Sequence, residues 1–146
     1  MLSSMRDIEC AKTELKGHSI VCICGEKRIF SDERGIRPLL ALIDERQNLR
    51  GYSVADKIVG KAAALLFALL QPAEIFADVL SIGGEEVLCR FHIPYSYGVK
   101  VDHIINRAGT DICPMEQTVE KIDDAQEALM ALREKVNQLR ADPTKK

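Results

Sequence analysis

The first thing this 146-residue sequence lacks is a charge imbalance. Its 20 Lys and Arg stand against 22 Asp and Glu, a formal net charge of −2. Proteins that hold nucleic acid or an anionic membrane concentrate basic residues on one surface. Here the basic residues are scattered among acids, so neither partner is expected. Long apolar runs are missing too. The most apolar stretch, Ala62–Leu70, falls far short of the roughly 20 residues that cross a bilayer. It reads as a buried helix. Arg6, Asp7 and Glu9 leave the first ten residues without the apolar centre of an export signal. Five cysteines, an odd number without such a signal, favour reduced thiols. A cytoplasmic protein is therefore expected.

Metal and cofactor motifs are also missing. Cys22 and Cys24 are two apart on a strand and face one side, which is not the spacing of a zinc knuckle. Cys89-x-x-His92 has no second pair at a suitable distance. There is no G-x-G-x-x-G, Walker loop, H-E-x-x-H or G-x-S-x-G. No metal and no cofactor is expected.

What is present suits one soluble domain with its own core: 47% apolar and 29% charged residues. A first helix is predicted over residues 3–16, ended by Gly17. Strands over His18–Cys24 and Lys27–Ser31 flank the turn Gly25-Glu26. A second helix is predicted over Gly35–Glu45. Ser53 and Asp56 have the S-x-x-D spacing of a capping box, which predicts a third, central helix from Ser53 to Leu70. Glu74–Ser81 reads as a buried strand, Glu85–Phe91 as a short helix, Pro94–Gly98 as a turn and Val99–Ile105 as a strand. A last helix is predicted from Pro114 to Leu139. Its residues Ile122, Ala125, Leu129, Leu132, Val136 and Leu139 form a heptad seam, open to packing within the chain or to a homodimer. Strands alternating with helices imply α/β layers.

Three places carry candidate chemistry. Cys113 precedes Pro114 at a helix start, with Glu116 three residues on. Such an end favours a thiolate or a bound anion. The plainer reading is a small buried residue beside a cap. Asp56, Lys57 and Lys61 interrupt an otherwise apolar segment, with Gly60 leaving room for close approach. On a helix, Lys57 and Lys61 share a face and would suit a phosphate or carboxylate. The alternative is a solvated helix end. Asn106 and Arg107 follow a predicted strand, where α/β sheets present ligand-binding groups, or form a solvated loop.

Gly35-Ile36-Arg37-Pro38-Leu39-Leu40, Ala55-Asp56-Lys57-Ile58-Val59-Gly60-Lys61-Ala62-Ala63-Ala64, Ile105-Asn106-Arg107 and Cys113-Pro114-Met115-Glu116 occur in that order. Together they resemble the motifs of a family of uncharacterised prokaryotic proteins. That family is a domain of unknown function with a cytidine-deaminase-like fold. The resemblance covers roughly residues 5–120, which divides the chain into a deaminase-like domain over 1–120 and a helical extension over 121–146. It implies a three-layer α/β/α architecture around a mixed sheet. It also implies an active site where two helix starts meet, one near Ser53 and one at Cys113. Zinc deaminases need H-x-E or C-x-E on the first helix and P-C-x-x-C on the second. Here the first offers Ala55-Asp56-Lys57, and Glu116 stands in place of the second Cys.

The expected function is a metal-free, deaminase-like domain holding a small anionic metabolite, such as a nucleotide, in a crevice between the two helix starts. Lys57, Lys61, Arg37 and Arg107 would meet negative charge. Asp56, Asn106, Gly60 and Glu116 would shape the site, and Cys113 would be a contact or nucleophile. One alternative is an enzyme in which Cys113 attacks, Lys61 lowers its pKa, and Asp56 or Glu116 moves protons. Another is a non-catalytic, oligomerising interaction module, which predicts a filled crevice and paired lysines.

Overall fold

Gly25 takes the positive φ that a two-residue hairpin turn needs, and the chain folds back on itself there. Strand β1 (Ile20–Cys24) pairs antiparallel with β2 (Lys27–Ser31), as the sequence predicts. A computed structural model describes residues 6–141. The predicted first helix appears as α1 (Asp7–Glu14) and a 3₁₀ turn over Leu15–Gly17. Its expected start at residue 3 lies outside the described residues, as does the polar tail at 142–146. Helix α2 (Arg37–Asp44) opens with Pro38 in its first turn and buries Leu39, Leu40 and Leu42.

The central helix predicted from Ser53 divides into two elements. Ser53–Val59 is strand β3, and α3 (Lys61–Leu70) begins only after Gly60. The Ser53 and Asp56 pair is no capping box, because the Ser53 hydroxyl donates to Glu74 Oε2 on the next strand. Strand β4 (Glu74–Ser81) and helix α4 (Ile82–Arg90) follow closely as expected, with the Ser81 hydroxyl accepting from Gly84 N at the α4 start. Strand β5 is Tyr95–Val101, so the predicted turn at Pro94–Gly98 is mostly strand and the strand ends four residues early. The predicted last helix is broken into α5 (Pro114–Val119) and α6 (Ala125–Ala141). Asp124 Oδ2 accepts from Glu127 N and starts α6.

The sheet order is β2-β1-β3-β4-β5. β1 pairs antiparallel with β2 and β3, while β3, β4 and β5 run parallel. α1 covers one face, where Ala11 and Leu15 meet Val21, Ile23 and Ala55. The main core lies on the other face, between the sheet and helices α2 to α6. The heptad seam is used inside the chain: Leu129, Leu132 and Val136 are buried, with Ala128, in that same core, and Ala125 is buried as well. The fold is thus an α/β three-layer arrangement with a long C-terminal helix, as expected.

The two-residue side-chain alternation of the parallel strands slips once. Val54, Ile75 and Ala77 turn to the main core, and Tyr95 reaches Glu85 on α4. Beyond Asp56, Ala77 and Tyr97, the next residues on that side come three positions later. They are Val59 and Leu80 in the core, and Lys100 bonded to Glu85. The register skips the row Lys57, Asp78 and Gly98 between these levels. Ile58, Val79 and Val99 consequently turn to the face that carries α1.

Candidate functional site

The starts of α3 and α5 do converge, with the first start at Gly60 and not near Ser53. Glu116, in the first turn of α5, joins them. Its Oε1 accepts from Lys61 N at 2.8 Å and its Oε2 from Ala62 N at 2.8 Å. These are two of the four amides that a helix start leaves unpaired, and a carboxylate is the group they favour. α3 has no side-chain cap of its own at Gly60. The cap comes from a residue more than fifty positions away.

Gly60 is what allows this contact. A Cβ there would lie 2.5 Å from Glu116 Cδ, where no real carbon contact fits. From the other side Gly84 approaches Gly60: a Cβ on Gly84 would sit 3.0 Å from the Gly60 carbonyl atoms. Two glycines therefore let α4 reach the backbone at the α3 start and let the Glu116 side chain of α5 close over it.

Lys61 is engaged as well. Its Nζ donates to Glu120 O at 3.0 Å and lies 3.2 Å from Asp123 Oδ1, so it ties the α5–α6 connection to α3. Arg90 Nη2 from α4 donates to Asp123 O at 2.8 Å. A shallow groove of about 280 Å³ remains beside them, lined by Lys61, Gly83, Glu86, Val87, Arg90 and Asp123.

Other residues expected at this site take no part in these contacts. Lys57 is exposed on β3, turned away from the main core, so Lys57 and Lys61 do not share a helix face. Asp56 is buried at 8% exposure on the helix-covered side of the sheet, in the same strand. Burial raises its carboxyl to about 8, opposed only by the backbone N–H groups of Ile58 and Lys57. Cys22, across β1, is pushed to about 12 by burial and by Asp56. Asn106 does not stand at a strand end, since β5 stops at Val101. Its side chain folds its own loop, accepting from Thr110 N and Asp111 N and donating to Thr110 Oγ1. Arg107 is exposed in that loop. Arg37 is half-buried at the start of α2 and makes no hydrogen bond or ion pair with another described residue. Cys113 is half-buried; its N–H donates to Ile104 O and its carbonyl accepts from Gln117 N.

Both Glu116 oxygens are committed to backbone amides, and Cys113 is the one thiol at the α5 start. Among the described residues no three His, Cys, Asp or Glu gather closely enough to hold a metal.

One cluster escaped the sequence reading. Tyr95 donates its phenol proton to Glu85 Oε2 at 2.7 Å, Lys100 donates to Glu85 Oε1 at 3.0 Å, and Cys89 Sγ lies 3.4 Å from the phenol oxygen. Bonds from Tyr95 and Lys100 hold the Glu85 carboxyl below its usual range. With its own O–H directed at Glu85, the phenol oxygen is left to accept from the Cys89 thiol. These residues come together only because β5 begins at Tyr95, where the sequence suggests a turn.

A mixed five-stranded sheet, one helix on one face, and a helix start sealed by a distant carboxylate define a three-layer α/β protein. The chain belongs to the family described as TM1506, domain of unknown function (DUF1893), whose profile matches residues 11–136 and so extends into α6. It is similar to a DUF1893 family protein (TM1506) from Thermotoga maritima, known from a crystal structure at 2.70 Å resolution. The two are 28% identical, with a TM-score of 0.83 over 92% of each chain. No curated protein matches the chain. No helix among the described residues is long and apolar enough to cross a membrane.

Proposed function

We propose that this chain is a metal-free, cytidine-deaminase-like domain that works as a non-catalytic interaction module and not as an enzyme. One observation carries the reading: Glu116 occupies the two amides at the start of α3. A deaminase-like fold would do its chemistry at this junction of helix starts. Here the chain's own carboxylate fills it, and the adjacent cation, Lys61, is bound to Glu120 O and Asp123. A thiol nucleophile needs a base or a nearby cation. Among the described residues no histidine bonds to Cys113, and Lys61 is already engaged. All five cysteines are free thiols, which supports a reducing cytoplasm as the place of action.

A second reading keeps a small anionic ligand such as a nucleotide. The groove beside Lys61 and Arg90 favours it, because both cations border the same hollow. Binding at the α3 amides themselves requires the anion to displace Glu116.

Amide NMR separates the two. Titrating the full chain with inorganic phosphate, AMP and CMP to millimolar concentration is expected to leave the Lys61 and Ala62 amides unmoved. A saturable shift at both amides overturns the closed reading and establishes an anion site. Turnover of a nucleoside or nucleotide by the purified chain overturns it outright.

A further inference from the structure

The slip in the parallel strands leaves an apolar row uncovered. Ile58, Val79 and Val99 are register partners on three adjacent strands. Ile58 is 52% and Val99 56% exposed, large values for β-branched residues in a sheet. α1 lies on this face over β1, β3 and part of β4, with Lys12 above the Phe76 ring, and leaves the row open. The skipped residues beside the row carry opposite charges on neighbouring strands: Lys57 on β3 and Asp78 on β4. Both are exposed, and neither side chain makes a hydrogen bond or ion pair with another described residue.

We propose that a second copy of this chain docks on this face, row against row about a two-fold axis. Charge complementarity selects that occupant. A two-fold axis makes an interface self-matching, so Lys57 of one protomer meets the partner's Asp78 while its own Asp78 meets the partner's Lys57. Two ion pairs then flank a strip of Ile and Val, and both unused charges find partners. The heptad seam of α6 is not free for that role, because it is already buried in the chain's own core. The patch is small against the roughly 800 Å² per partner of a standard interface. A reversible dimer with a Kd in the micromolar range is the outcome that size supports. The proposal stands independently of the closed α3 start.

Sedimentation equilibrium of the full chain, from low to high micromolar concentration, tests it. The expected mass rises from monomer to twice monomer. Val99→Asp is expected to hold the chain as a monomer, and Lys57→Asp to weaken association at least tenfold through repulsion by Asp78. The charge swap Lys57→Asp with Asp78→Lys is expected to restore it. All three sites are solvent-exposed, so the variants should fold, and circular dichroism checks this. A wild-type chain that stays monomeric throughout overturns the proposal, including one that captures some other protein on this face. So does association that survives Val99→Asp, or a charge swap that fails to restore it.

Discussion

Two regions sit almost back to back near the carboxyl ends of β3 and β4, and they treat polar groups in opposite ways. On the helix-covered side, the amides of Lys61 and Ala62, the ammonium of Lys61 and the guanidinium of Arg90 all find partners within the chain. On the α1 side, Lys57 and Asp78 are left unbonded next to exposed Ile58 and Val99. A one-residue slip in three strands separates the two. Val59 and Ile58 are chain neighbours, yet one is 0% exposed and the other 52%. The first region is closed by the chain's own groups, and the second is left open.

The strongest test of the closed side is Asp56, the last β3 residue on that side before the slip. Burial raises its pKa in the folded chain to about 8, from the ordinary 3.8 of a free aspartate. The folded chain therefore binds a proton that the unfolded chain releases between those values. Its contribution to stability is fully present below about pH 4, is lost as pH rises, and levels off above about pH 8. Asp56→Asn keeps an oxygen for the Lys57 and Ile58 N–H groups and removes the titration. It is expected to stabilise the protein by several kcal/mol above pH 8 and to flatten the pH profile. Chemical denaturation across that range checks both. A wild-type curve that does not fall with pH removes Asp56 from the closed side.

Gly60→Ala comes next. The new methyl has to displace the Glu116 carboxylate or push α5 away from α3. A loss of about 3 kcal/mol is expected from the combined clash and broken hydrogen bonds. In the background of Glu116→Ala the same change should cost much less, because the carboxylate it meets is gone. Such non-additivity is the signature of two groups in direct contact. Equal costs in both backgrounds would separate Gly60 from Glu116.

The sequence made the hairpin, α2, β4 and α4 legible because each carries its own local signal, such as Gly25 at the turn or the apolar residues Ile75, Phe76, Val79 and Leu80. The helix start at Gly60 was hidden for the opposite reason. Ser53 and Asp56 imitate a capping box, while the real cap is Glu116, which no local rule connects to Lys61. The convergence of the helix starts came from a family resemblance and not from spacing. The open row was illegible because it depends on strand register and on the slip. The break between α5 and α6 was hidden by a heptad pattern that runs through it at Ile122.

Glu116→Gln is a gentler break. Gln presents an NH₂ group to one of the two amides, so one hydrogen bond is lost and two donors face each other. About 2 kcal/mol of destabilisation is expected. Exchange of the Lys61 and Ala62 amides with solvent deuterium should rise at the same time. Unchanged protection there would show that something other than this carboxylate closes the α3 start.

The smallest expected effect lies on the open side, and its smallness is the informative part. Ile58→Thr keeps a β-branched residue on a strand and alters a side chain already half in water. A change within about 0.5 kcal/mol is expected for the monomer, as for other surface positions. Val59→Thr places a hydroxyl in the main core, where a buried polar group has a cost, and should be clearly more destabilising. Thermal unfolding at low protein concentration, where association contributes nothing, compares the neighbours directly. Equal costs would mean that Ile58 is packed within its own chain, and the apolar row would lose its standing as a free surface. A neutral Ile58→Thr that also weakens self-association would tie the exposure of the row to a partner.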